Sequence, residues 1–160
     1  NIPYYITSAV IRHLLESDPN PRRIVLTIQK EVAERICAKP GDMSLLALSV
    51  QVYGRPSIAA RIPAEAFYPA PKVDSAVLRI DIYPTPQIKP ELLDTFFKLI
   101  KAGFSQKRKT LRNSLSAGLH ISPTDAADML NKANIDPQRR AETLDLPEWS
   151  ALAIEQQARV

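Results

Sequence analysis

The sequence predicts an α/β segment followed by a small all-α domain, and three observations carry that expectation. The stretch "RRIVLTIQ" is almost continuously apolar from Ile24 to Ile28 and rich in β-branched residues, as a strand would be. The next stretch, "KEVAERICA", sets Val32, Ala33, Ile36 and Cys37 at helical spacing, so strand leads into helix. Further on, "YPTPQIKP" gathers Pro84, Pro86 and Pro90. Proline lacks a ladder donor and drives the residue before it to extended geometry, so this stretch reads as a linker. Every pattern beyond it is helical. The expected division is residues 1–84 and residues 85–160.

Taken in order, Thr7 is expected to cap a short helix that carries Val10, Ile11, Leu14 and Leu15 on one face and ends at Pro19 and Pro21. The Ile24–Ile28 strand has the pattern of one covered on both faces, as in a parallel sheet. "SLLALSVQVYG" supports two readings. Leu46, Leu48, Val50 and Val52 alternate like a strand, whereas Leu45, Leu48, Val52 and Tyr53 fit a helix capped by Ser44; periodicity alone favours the strand. Two further strands are expected over 57–62 and 73–83, the second with Ala76, Leu78, Ile80 and Ile82 on one face. Between them, "PAEAFYPAPK" is too rich in proline for regular structure. Past the linker, Leu92, Leu93, Phe96, Phe97 and Ile100 form a helical stripe over 90–102, and Leu111, Leu115 and Leu119 form another on a helix expected over 107–117. Ser122-Pro123 and Asp136-Pro137 read as two more helix starts, and Asp145 as the cap of a last helix through Trp149, Leu152 and Ala153.

Composition excludes several classes. At 160 residues and 45% hydrophobic the chain can build a core. No run approaches the ~20 apolar residues of a membrane helix, and the first residues do not have the make-up of a signal peptide, so a cytoplasmic protein with no membrane partner is expected. Cys37 has no second cysteine to pair with and is expected to be a small core residue. His13 and His120 give no metal-ligand spacing, and no metal is expected. The 21 basic residues against 17 acidic ones leave a charge of +4. The distribution says more than the sum: from Thr95 to Thr124 there is no acid, while Lys98, Lys101, Lys107, Arg108, Lys109 and Arg112 all fall there. Such a segment suits a polyanion.

The opening "NIPY" has a specific chemical fit. The exocyclic nitrogen of adenine is a poor nucleophile because its lone pair is delocalised into the ring. Two acceptors aimed at its N–H bonds would hold it, favour pyramidal geometry and stabilise the positive charge that develops during alkylation. The Asn1 side chain offers one carbonyl and the Ile2 backbone the other, aimed by the restriction that Pro3 places on the residue before it. Tyr4 supplies a stacking face. Stacking returns about 1–3 kcal/mol per base, enough with two hydrogen bonds to offset unstacking.

Three stretches, "NIPYYIT", "FYPAPKVDSAVLRI" and "GFSQKRKTLRNSL", together resemble the ribosomal RNA adenine N6,N6-dimethyltransferases, in particular the bacterial small-subunit branch. The resemblance spans essentially the whole chain. It implies the C-terminal half of a Rossmann-like class I methyltransferase domain followed by a helical RNA-recognition domain, and it implies a helix for "SLLALSVQVYG". It further implies S-adenosylmethionine as co-substrate and immature small subunits as partner, with two adjacent adenosines near the 3′ end of the rRNA as targets. Asn1, Ile2, Pro3 and Tyr4 match the family's catalytic tetrapeptide, whose Asn also lies against the methyl donor, and Phe67 matches a second aromatic that closes over the flipped base. Pro69 and Pro71 then stiffen a loop, Lys72 contacts phosphate, and Val73 opens a last, antiparallel strand. Lys101, Lys107, Arg108, Lys109 and Arg112 face RNA, with Arg108 lying close enough to the leucine stripe to support packing instead.

The sequence also departs from that family. Gly41, Gly54, Gly103 and Gly118 form no Gly-x-Gly turn, and the acidic residue for the donor's ribose and the Asp for its adenine have no counterpart. An N-terminally truncated chain is therefore expected, inactive alone and prone to self-association through the bare edge of the Ile24–Ile28 strand. Two alternatives stay open: a non-catalytic RNA-binding assembly module, and a large-subunit rRNA methyltransferase conferring antibiotic resistance.

Overall fold

The structure is a computed structural model that describes residues 1–159. Strands β1 (Arg23–Gln29), β2 (Gly54–Ile62) and β3 (Ser75–Ile82) form one sheet in the order β1-β3-β2, with both outer strands antiparallel to β3. The alternation in β3 decides which way the sheet faces. Ala76, Leu78 and Ile80 are fully buried, and the register sets them beside Ile28, Leu26 and Ile24 of β1. That face is covered by α1 (Thr7–Leu15), α2 (Lys30–Ile36) and α3 (Leu45–Gln51) through Ile11, Leu15, Ala33, Ile36 and Val50.

Among the described residues β1 does not have the doubly covered, parallel-sheet environment expected for it. β1 bonds only to the antiparallel β3, and Val25 on the opposite face is 56% exposed. Neighbouring side chains on that face are polar: Arg23 Nε donates to Asp81 Oδ1 at 2.6 Å, and the Arg79 guanidinium bonds the same carboxylate. An unbroken apolar run thus hides an alternating strand whose second face is only partly apolar.

The remaining helices are α4 (Leu93–Gly103), α5 (Leu111–Leu119), α6 (Pro123–Lys132) and α7 (Leu146–Gln157). Among the described residues none is long and apolar enough to cross a membrane. Their core centres on Phe96, Leu99, Ile100, Leu111, Leu115, Met129, Leu130 and Trp149. It also takes Met43, Ala47, Leu48 and Val52 from before the proline-rich stretch. α3 therefore serves both cores, Val50 on one side and Leu48 on the other. The proline-rich stretch is pinned as well: Tyr83 N–H donates to the Tyr53 carbonyl at 2.9 Å, Gln87 N–H donates to the Val52 carbonyl at 2.8 Å, and Ile88 is buried.

Several local expectations change. "SLLALSVQVYG" is helical, as the resemblance implies and against the periodicity, with the Ser44 hydroxyl accepting from Ala47 N–H at 3.1 Å. Thr7 is not a cap: Ile6 occupies that position, and the Thr7 hydroxyl donates back to the Tyr4 carbonyl at 3.0 Å. The helix expected from Lys107 begins at Leu111, because Leu111 and Arg112 donate their N–H groups to the carbonyls of Arg139 and Pro137, at 2.7 and 3.2 Å. Asp136-Pro137 opens no helix; the Asp136 carboxylate accepts from Gln138 N–H at 2.9 Å and closes a local turn. Ser122 and Asp145 do cap helices, Asp145 reciprocally with Glu148. Cys37 is only half-buried, beside a shallow cleft between the two cores, and that burial raises its thiol pKa.

Two of the glycines, Gly103 and Gly118, are packing positions. A Cβ at Gly103 would lie 2.6 Å from the Trp149 ring, and one at Gly118 would lie 2.7 Å from the Ala102 backbone. Both let helices approach closely.

Candidate active site and RNA-facing surface

Asn1 and Pro3 are exposed and Ile2 is half-buried against the sheet core. Pro3 sits at φ −57°, ψ 135°, and its carbonyl accepts from Ile6 N–H at 3.3 Å, closing a 3-10 turn over Tyr4–Ile6. Among the described residues no group donates to the Ile2 carbonyl or to the Asn1 amide oxygen. Both remain open as acceptors.

The Tyr4 ring is half-buried, and its hydroxyl meets the hydroxyl of Ser75, fully buried at the start of β3, at 2.7 Å. The neighbouring Asp74 holds the other arm. Its carboxylate accepts from Ala64 N–H at 3.1 Å, where a short 3-10 turn (Ala64–Ala66) leads straight into the half-buried Phe67. Its carbonyl accepts from Lys30 N–H at 3.0 Å, at the start of α2. The opening tetrapeptide and the Phe67 loop are thus both tied to one two-residue step, where β1 and β2 end and β3 begins. Tyr4 and Phe67 form no ring pair among the described residues, so no stack closes the space between them.

Pro69, at a cis Tyr68-Pro69 bond, and Pro71 lie in the same loop, and Lys72 is exposed on a depression of about 490 Å³. That depression is mixed in charge, with Lys30 and Lys72 facing Glu31, Glu34 and Asp74. The other cations lie in the helical half. Lys101 is exposed in the last turn of α4, and Lys107, Arg108 and Lys109 are exposed in the turn between α4 and α5. Arg112 is half-buried on the first turn of α5, its Nε donating to Asn113 Oδ1 at 3.3 Å. Arg108 therefore belongs to a solvated turn and not to the leucine stripe.

Sequence reasoning missed Asp74, Ser75 and Arg139. Arg139 supports the basic turn: its carbonyl receives Leu111 N–H, and its guanidinium grips the Glu148 carboxylate, with one contact at 3.0 Å, and the Thr143 carbonyl at 2.8 Å. The only sequence signal for the first two was a polar Asp-Ser pair abutting the alternating strand.

A family model described as ribosomal RNA adenine dimethylase matches residues 1–152. The chain belongs to the ribosomal RNA adenine dimethylase family. Among curated family relatives, the ribosomal RNA small subunit methyltransferase A of Dehalococcoides mccartyi (strain CBDB1) is 52% identical over 155 residues, which cover 97% of this chain and 53% of the relative. That of Desulfitobacterium hafniense (strain DSM 10664 / DCB-2) is 44% identical over 154 residues, covering 95% and 55%. This chain spans about half the length of the curated dimethylase relatives it matches. Among solved structures, a dimethyladenosine transferase from Plasmodium falciparum superposes with a TM-score of 0.84 at 24% identity, over 99% of this chain and 66% of that one. The 23S rRNA methyltransferase ErmE gives 0.70 at 23% identity, over 98% and 63%. These two likenesses give the fold: the three-stranded sheet and its helices are part of a Rossmann-like α/β arrangement, and the helical bundle follows it.

Proposed function

We propose that the protein carrying this chain transfers methyl groups from S-adenosylmethionine to the N6 of adjacent adenosines near the 3′ end of small-subunit rRNA, with immature small subunits as its substrate. One observation carries the reading: the acceptor-bearing tetrapeptide and the Phe67 loop are bonded to neighbouring residues, Ser75 and Asp74, at one end of the sheet. An adenine extruded from its helix would enter between Tyr4 and Phe67. The Asn1 side-chain carbonyl and the Ile2 carbonyl accept its two amino N–H bonds and stabilise the charge that grows on nitrogen. No general base is required, since the amine loses its proton after the methyl arrives.

When bound, S-adenosylmethionine supplies an electrophilic methyl on a sulfonium. Within this chain Asn1 suits that end of the donor. The space a Cβ would take at Gly54, Gly103 and Gly118 is already filled by Ile80, Trp149 and Ala102, so these glycines cradle no nucleoside. Lys101, Lys107, Arg108, Lys109 and Arg112 hold rRNA phosphates, and Lys72 reaches one nearer the base. The small subunit is favoured over the large because the curated relatives carry that name at 42–52% identity.

The test uses a protein of full family length carrying this chain, with unmodified small subunits and a radiolabelled donor. Asn1→Ala should abolish methyl transfer and leave subunit binding intact. Undiminished turnover refutes the role given to Asn1.

A further inference from the structure

We propose that Asp74 and Ser75 are positioning residues that lock both aromatic arms of the site into one frame. This rests on the reading of Tyr4 and Phe67 as a base clamp.

Ser75 is anchored as firmly as a residue can be. It is fully buried on the middle strand and registered against Gln29 of β1 and Ile62 of β2. Strand alternation sets its side chain on the face opposite Ala76. There the Tyr4 hydroxyl is its hydrogen-bond partner, 2.7 Å away. A tyrosine ring turns about two soft torsions. In Tyr4 the 3-10 turn fixes the backbone end and the Ser75 hydroxyl fixes the phenol end, so the ring axis is set while both ring faces stay free of that bond. An anchored ring needs less ordering when a base stacks on it.

Asp74 does the same for the second arm through a different group. Its carboxylate holds Ala64 N–H, three residues before Phe67, while its carbonyl ties the step to α2 through Lys30 N–H. Any shift of this step moves both arms together. The spacing of the clamp is therefore set at β3 and not by the flexibility of either loop.

A purely structural serine would change stability without changing how Tyr4 works, and a mutant cycle separates the two. Tyr4→Phe, Ser75→Ala and the double variant are compared in a protein of full family length carrying this chain. The readouts are single-turnover methyl transfer to unmodified small subunits, subunit affinity, and emission of 2-aminopurine placed at the target adenine. Each single variant should slow transfer about tenfold, what the loss of one net hydrogen bond allows. The double should be no slower than either single, because the two share one bond. Subunit affinity should hold, and 2-aminopurine emission should rise as stacking loosens. Wild-type transfer in Tyr4→Phe, or effects that multiply to about a hundredfold in the double variant, overturns the proposal. Should Ser75→Ala fail to fold, Tyr4→Phe decides alone, since it keeps the ring and removes only the hydroxyl. A wild-type protein that transfers no methyl to adenine overturns the underlying reading, and this one with it.

Discussion

At Gly118 one missing methyl group decides how closely α4 and α5 approach. A Cβ there would sit 2.6 Å from the Ala102 Cβ and 2.7 Å from its Cα, and backbone cannot swing aside as a side-chain tip can. Alanine gains about 1 kcal/mol of helix propensity over glycine, but overpacking a close contact costs about 1–3 kcal/mol. We expect Gly118→Ala to lower the thermal midpoint; an unchanged or raised midpoint shows that the helices separate freely. Residues of this scale were unequally legible in the sequence. The expected acceptors of Asn1 and Ile2 are read from an amide side chain and from a backbone carbonyl aimed by Pro3, and the ring of Tyr4 from its place beside them, whereas Phe67 is reached only through the family resemblance. Ser75 is reached by neither route, because its partner is 71 positions away. Nothing local distinguishes it from any other strand serine.

At the scale of elements, the link from Arg139 to Glu148 joins the start of α5 to the capping box of α7. The Arg139 guanidinium bonded to Glu148 holds that carboxyl below its ordinary 4.5, helped by the backbone N–H of Asp145 and opposed by burial. A depressed folded-state value means the stabilisation is complete above the unfolded value and is lost as pH falls through the folded one. Denaturant titrations should therefore show stability falling below about pH 4.5, and Glu148→Gln should flatten that fall; an equally steep fall in the variant refutes the linkage. At neutral pH, losing the pair should cost about 1–2 kcal/mol, charge-assisted bonds being worth more than neutral ones but discounted here for partial exposure. The sequence placed most elements correctly and failed where two signals competed. For "SLLALSVQVYG" both periodicities fit, and the tie is broken by the Ser44 cap and by a helix that must feed two cores at once. The start of α5 was misjudged because the carbonyls that receive its first N–H groups come from residues 137 and 139, far downstream.

At the scale of the whole 160-residue chain, β1 is an edge strand among the described residues, with Val25 on its open face. Unpaired backbone donors and acceptors beside an exposed valine invite pairing with another copy. Sedimentation of the 160-residue chain should show concentration-dependent association that Val25→Lys weakens; a monomer at every concentration refutes it. The helix α3 acts at this scale in a different way. Large apolar contacts suppress relative motion between neighbouring domains, and this one short helix is mortared into both. On the proposed reading, an RNA that touches the basic turn while offering a purine to the Tyr4 end would meet a caliper whose two jaws share one helix. Target choice would then become a question of span along the nucleic acid, with the shared helix setting the gauge.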